Sequence, residues 1–182
     1  MESRYGKTVI APVTLTTKHG DMEISMHQCR EAYLREMQMV LPGKNLENLL
    51  CLPTMQHARE DLVKIGDNIE VEKDRLLENF MVFAKELCAL IEAKGHFADY
   101  IDPCSGLAMI TREANKVYSE VDGAQQLLGY GVQNAGCCKI LLHPSWSSAV
   151  YPASIFTTGP SAWLSRNSWM SVEKVGFQSH IS

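Results

Sequence analysis

LLGYGVQNAGCCKILLHPSWSSAVYPASIF, residues 127–156, is the stretch on which the reading of this chain turns. It begins as an irregular, Gly-rich approach and enters an apolar run at Cys137-Cys138-Lys139-Ile140-Leu141-Leu142. The Pro144 to Trp146 turn leads to a second strand through Val150 to Phe156, which predicts a hairpin. Neighbouring side chains of an extended strand point to opposite faces. Strand phase therefore places Cys137, Lys139, Leu141 and His143 on one face and Cys138, Ile140 and Leu142 on the other, with the Ile140 and Leu142 face expected in the core. On that phase Cys137 is the outward thiol. The same two cysteines also suit the start of a core strand, because free Cys is among the most buried residue types.

Outward from this stretch, the clearest periodicity runs from about Val71 to Lys94. Leu76, Phe80, Phe83, Leu87 and Ile91 fall on one helical face, and Gly95 supplies the stop. Each of these side chains contributes roughly 1.5–3 kcal/mol on burial, gross of ordering entropy. Met22, Ile24 and Met26 alternate with polar residues and predict a half-buried strand. Tyr33, Leu34, Met37 and Val40 then switch to helical spacing before Pro42-Gly43. Leu49 to Met55 reads as a strand pushed to a sheet edge by Pro53, and Leu62 to Ile65 with Gly66-Asp67-Asn68 reads as part of a hairpin. Phe97 to Ile101 and Lys116 to Val121 read as short strands, and Gly123 to Leu128 as one or two helical turns. The division is a flexible segment over 1–20, one domain over 21–160 and an unplaced tail over 161–182.

Composition narrows the function. The 182 residues carry 21 acids against 17 bases, a net charge of -4 without a basic block, which disfavours nucleic acid and anionic membrane as partners. No run approaches the roughly 18 apolar residues that span a bilayer. Six cysteines without a signal-like start fit reduced thiols in the cytosol or an organelle matrix. Walker A, H-E-x-x-H, C-x-x-C and G-x-S-x-G patterns are missing, and the six histidines are dispersed. What chemistry remains lies in Cys137, Cys138, Lys139 and His143, where a nearby cation favours the thiolate that attacks or ligates a soft metal. Asp99 and Asp102 suit turn and local pairing roles better than acid–base work.

Gly95-His96-Phe97-Ala98-Asp99-Tyr100-Ile101-Asp102-Pro103-Cys104-Ser105-Gly106-Leu107 is followed in order by Leu128-Gly129-Tyr130, Gly136-Cys137-Cys138-Lys139 and Ser154-Ile155-Phe156-Thr157. With the preceding helix, Glu70-Val71-Glu72 through Asn79-Phe80 to Ala84-Lys85-Glu86-Leu87-Cys88, this order resembles the C-terminal domain of the cblD-type cobalamin-trafficking family, over about Met22 to Thr158. The resemblance implies a nitroreductase-like α+β fold, a mostly antiparallel sheet packed with helices and without flavin. It implies a non-enzymatic adaptor that binds the cblC-type cobalamin-processing protein and helps direct cobalamin to methionine synthase and methylmalonyl-CoA mutase. No cofactor is then held stably, and cobalamin is contacted on the partner. The family's functional cysteine corresponds to Cys137, a transient cobalt ligand, with Cys138, Lys139 and His143 as supporting candidates.

The reduced thiols and the missing signal-like start lead to the expectation of a cytoplasmic protein. A mitochondrial form is compatible with the family, although no leader is visible, and a homodimer stays open. Cys104 stands where the family more often has a small polar residue, and the stretch after Gly159 carries none of its motifs. The alternative from another class is a thiol- or flavin-dependent enzyme of the nitroreductase-like group that uses Cys137 as nucleophile or redox centre. A third reading is a homodimeric binding module with structural cysteines.

Overall fold

Hydrophobic alternation on three strands builds the centre of the molecule. In the computed structural model, which describes residues 3–17 and 20–164, these strands are β2 (Gly20–Cys29), β3 (Leu50–His57) and β7 (Val150–Thr157). They join β1 (Gly6–Thr17) and β4 (Ala98–Tyr100) in an antiparallel sheet of order β1-β2-β3-β7-β4. Met22, Ile24 and Met26 of β2, Leu50 and Leu52 of β3, and Ala153 and Ile155 of β7 all point to one face. There they meet Phe80, Phe83, Leu87 and Ile91 of α2 (Asp67–Glu92), the pillar expected from its periodicity.

The opposite face is covered as well, so the sheet is the middle of three layers. Cys51 and Phe156 pack with Tyr33, Met37 and Val40 of α1 (Glu31–Val40), whereas Met55 and Val150 pack with Ala124 of α3 (Glu120–Leu128) and Leu141. This second cover explains why β2 is buried on both sides. Ser25 and His27, expected at a polar face, are enclosed. The His27 ring bonds Thr8 Oγ1 through Nδ1 (3.3 Å) and Ser25 Oγ through Nε2 (2.9 Å), and burial lowers its pKa to about 4.

Several expectations change. Residues 1–20, read as flexible apart from an extended candidate at Val9 to Thr16, contain a twelve-residue strand, β1, laid along β2 as an outer edge, with register irregularities around Ile10 of the kind that blunt an edge. Pro53 does not drive β3 to the edge. The strand is central, and the β2–β3 ladder opens between Ile24↔Thr54 and His27↔Cys51, the point where the missing N–H would have been needed. The stretch from Ala58 to Gly66 is a connection into α2, not a hairpin, because Asp67 already begins the helix. Lys116 to Val121 is loop running into α3, whose Ser119 side chain caps Asp122 N–H at 3.2 Å. Gly123 is required inside that helix, since a Cβ there would overlap the Tyr118 hydroxyl.

Asp99 is enclosed and accepts hydrogen bonds from the backbone N–H groups of Tyr100, Ile110 and Thr111 at 2.8–2.9 Å, so it organises the loop after β4. Asp102 accepts from Cys104 N–H and Ser105 Oγ in a local turn. Neither stands ready for acid–base work. Leu164 is fully buried against the α2 face, and the part of the tail after it lies outside the described residues.

Candidate functional site

The apolar run after the paired cysteines does not form a hairpin with β7. Residues Gly131–Ala135 form a strand, β5, which pairs with β6 (Cys138–Leu142) in a separate two-stranded sheet, and β7 goes to the main sheet. The turn between β5 and β6 has two residues, Gly136 and Cys137, closed by the Ala135↔Cys138 pair. Gly136 has φ +64° and Cys137 does not share that region, which is the pattern of a type II′ turn with Gly at its first central position. This explains why the chain needs Gly immediately before the two thiols.

The turn corrects the strand-phase reading in two ways. Cys137 sits in the turn and Cys138 opens the strand, while the two faces keep their expected membership and the opposite one turns inward. Leu141 and His143, not Ile140 and Leu142, are the buried pair. Furthermore, both cysteines are exposed, and their sulfurs stand 3.7 Å apart instead of on opposite faces. The Cys138 thiol is pushed up, first by its hydrogen bond with Cys137 and then by the charge a Cys137 thiolate places beside it. Residues Gln133 to Lys139 are all exposed. On one side Cys138 and Ile140 border a mainly apolar groove of about 410 Å³, together with Leu62, Val63, Val121 and Val150.

Lys139 and His143 separate under this geometry. Lys139 Nζ reaches Asp122 Oδ1 in the first turn of α3 at 2.6 Å, a strut between hairpin and helix next to the thiols. His143 lies at the other end of the run, about 16 Å from Cys138 at the ordinary strand rise. It therefore does not support the thiol directly. Its Nδ1 accepts from the backbone N–H groups of Ser145 and Trp146 (3.1 and 3.2 Å), which puts the ring proton on Nε2, facing Glu23 Oε2 at 3.2 Å. Glu23 Oε1 accepts from the Tyr130 hydroxyl at 2.5 Å. Trp146 stacks between the His143 and His57 rings at 4.1 and 4.9 Å, and Tyr130 meets His143 edge-on. These contacts fasten the root of the hairpin to β2 and β3.

Sequence reasoning missed three members of this arrangement: Gly136 as the turn former, Asp122 as the partner of Lys139, and Glu23 as the anchor of His143 and Tyr130. A Gly-x pair between two five-residue strands was a readable signal for the first. The other two pairings span 17 and 120 residues and depend on the tertiary fold.

Of the remaining cysteines, Cys104 is exposed, and Cys29, Cys51 and Cys88 are buried with their thiols pushed up by desolvation. Among the described residues no three His, Cys, Asp or Glu side chains gather as a metal site, and no helix is long and apolar enough to cross a membrane. What the hairpin can do chemically is present two thiol sulfurs at its turn, next to an apolar groove.

A family model described as methylmalonic aciduria and homocystinuria type D protein matches residues 7–167, which takes the likeness into β1 and beyond the Met22 to Thr158 span of the motifs. The cobalamin trafficking protein CblD of Rattus norvegicus is 35% identical over 136 residues, 75% of this chain and 46% of that protein. The proteins of the same name from Gallus gallus and Homo sapiens are both 34% identical, over 77% and 75% of this chain and 47% and 46% of theirs. The chain thus spans about half the length of the curated relatives it matches.

Proposed function

Because this chain belongs to the methylmalonic aciduria and homocystinuria type D family, we propose that it is a non-enzymatic adaptor in cobalamin trafficking that presents the Cys137 thiolate to cobalt. The observation that carries this reading is the exposed thiol at the tip of an anchored hairpin. Cobalamin is cargo, held by a cblC-type cobalamin-processing protein, and this chain keeps no cofactor of its own. A thiolate lone pair forms one Co–S bond while the ligand occupying that axial position departs. Sulfur suits a soft, polarizable centre, and a single bond keeps the contact reversible. Released cobalamin passes towards methionine synthase and methylmalonyl-CoA mutase.

The tip is built for such a meeting. The two-residue turn leaves nothing beyond Cys137 to shield it, and Lys139 ties the hairpin to Asp122. The three-layer α+β body is in keeping with a flavin-free nitroreductase-like fold that serves as scaffold. The protein works in the cytoplasm, with a mitochondrial form in the same family role.

The test is the visible spectrum of cobalamin on a cblC-type partner, titrated with wild type, Cys137→Ala and Cys138→Ala. A spectral change that requires Cys137 and survives Cys138→Ala is expected. Partner binding with an unchanged spectrum would remove the cobalt chemistry. A flavin chromophore in the purified chain, together with turnover by the chain alone, would replace the adaptor by a thiol or flavin enzyme.

A further inference from the structure

The two sulfurs of the tip are placed for more than a single contact. A regular strand would send adjacent side chains to opposite faces, yet the turn at Gly136-Cys137 brings the two Sγ atoms to 3.7 Å. Two thiolates bound to one zinc ion at about 2.3 Å and a tetrahedral angle stand roughly 3.8 Å apart. A linear two-thiolate ion would need about 4.6 Å on the same bond length. Both sulfurs are exposed, so an ion reaches them without opening the fold.

We propose that Cys137 and Cys138 form a bidentate site for a zinc ion, one half of a tetrahedral shell carried on a single chain. The two S–H bonds give up their protons to solvent, waters leave the hydrated ion and two S–Zn bonds form in their place, with no change of oxidation state. Among the described residues no third Cys, His or carboxylate joins the pair, which leaves the other two positions to water or to an incoming ligand. The consequence for trafficking rests on the cobalt reading above: a zinc-bound Cys137 has no free thiolate, so zinc occupancy and cobalt contact exclude each other. The site itself rests only on the geometry of the turn.

The experiment uses the reduced full chain and zinc alone, read by competition with a chromogenic chelator and by native mass spectrometry. One ion per chain is expected. Loss of even an outer-shell partner commonly costs 10–100-fold in metal affinity, so Cys137→Ala and Cys138→Ala should each weaken binding by at least about tenfold. Cys104→Ala should leave it unchanged. Zinc uptake no greater than that of the Cys137→Ala/Cys138→Ala double variant would overturn the proposal. So would full binding in either single variant, or half an ion per chain, which would mean a shared site between two copies. Thermal melts of each variant exclude unfolding as the cause. The two readings fail separately, because zinc requires both sulfurs and no partner, whereas cobalt contact requires Cys137 and the partner.

Discussion

Cys51 and Cys137 carry the same thiol in opposite settings. Cys51 lies in the central strand of the main sheet, within 4.0 Å of the Tyr33 hydroxyl and packed beside Phe156, with desolvation holding its proton in place. Cys137 occupies the second position of a two-residue turn, with water around it. Sequence neighbourhood already hints at the difference, for Cys51 stands among leucines and Cys137 follows Asn134-Ala135-Gly136. The difference is architectural: one strand has covered faces on both sides and a neighbour along each edge, and the other hairpin leaves its tip beyond every layer. Thiol reactivity here is a property of position in the fold, and the side chain only supplies the atom.

The largest contrast is kinetic. In the native state an alkylating reagent should modify Cys104, Cys137 and Cys138, while Cys29, Cys51 and Cys88 react only through opening of the fold. With ordinary domain stability this protects the buried set by at least about a thousandfold. Peptide mass spectrometry after timed labelling reads it directly, and early labelling of Cys51 would break the comparison. Phe80→Ala comes next. It removes a fully buried ring between α2 and the sheet and should cost about 3–5 kcal/mol in urea unfolding.

His27 sharpens the same side of the comparison through pH. Its folded pKa, about 4, lies below the ordinary 6.5, so the neutral ring is favoured by folding. That stability is present above pH 6.5 and is lost as pH falls through 4, in total roughly 3 kcal/mol. Urea midpoints from pH 7 to pH 4 should show the slope, and His27→Gln should flatten it. The smallest effect belongs to the tip: Cys137→Ala should alter stability by no more than about 0.5 kcal/mol, because the residue is exposed and outside the packed clusters. A loss of 2 kcal/mol or more would make Cys137 a structural residue.

Periodicity alone identified α2, α1 and the alternation of β2, because long amphipathic patterns depend on one buried face and little else. It failed where the tertiary fold adds a second constraint. Pro53 looked like an edge residue, and the sheet accepted it centrally by leaving one stretch of ladder unpaired. Ser25 and His27 looked solvated until α1, α3 and the hairpin covered their face. The thiols were found in sequence, but their orientation was not, since strand phase holds only after a turn has ended. The two faces of β6 were grouped correctly, but the inward one was misassigned: Leu141 packs with Ala124 of α3 and His143 meets Glu23 of β2.

The hairpin is a short cantilever. Its root is clamped by the Glu23 carboxylate and the His57, Trp146 and His143 stack, and its free end carries the sulfur about 16 Å away. In any such beam deflection is smallest at the clamp and grows steeply towards the tip. The expected consequence is amide exchange that quickens from the clamp towards the thiol while the body stays protected. The Lys139 to Asp122 contact acts as a stay on the side of α3. On the proposed role, an incoming metal centre would meet the sulfur at the end farthest from the clamp, and no strand of the main sheet would have to move.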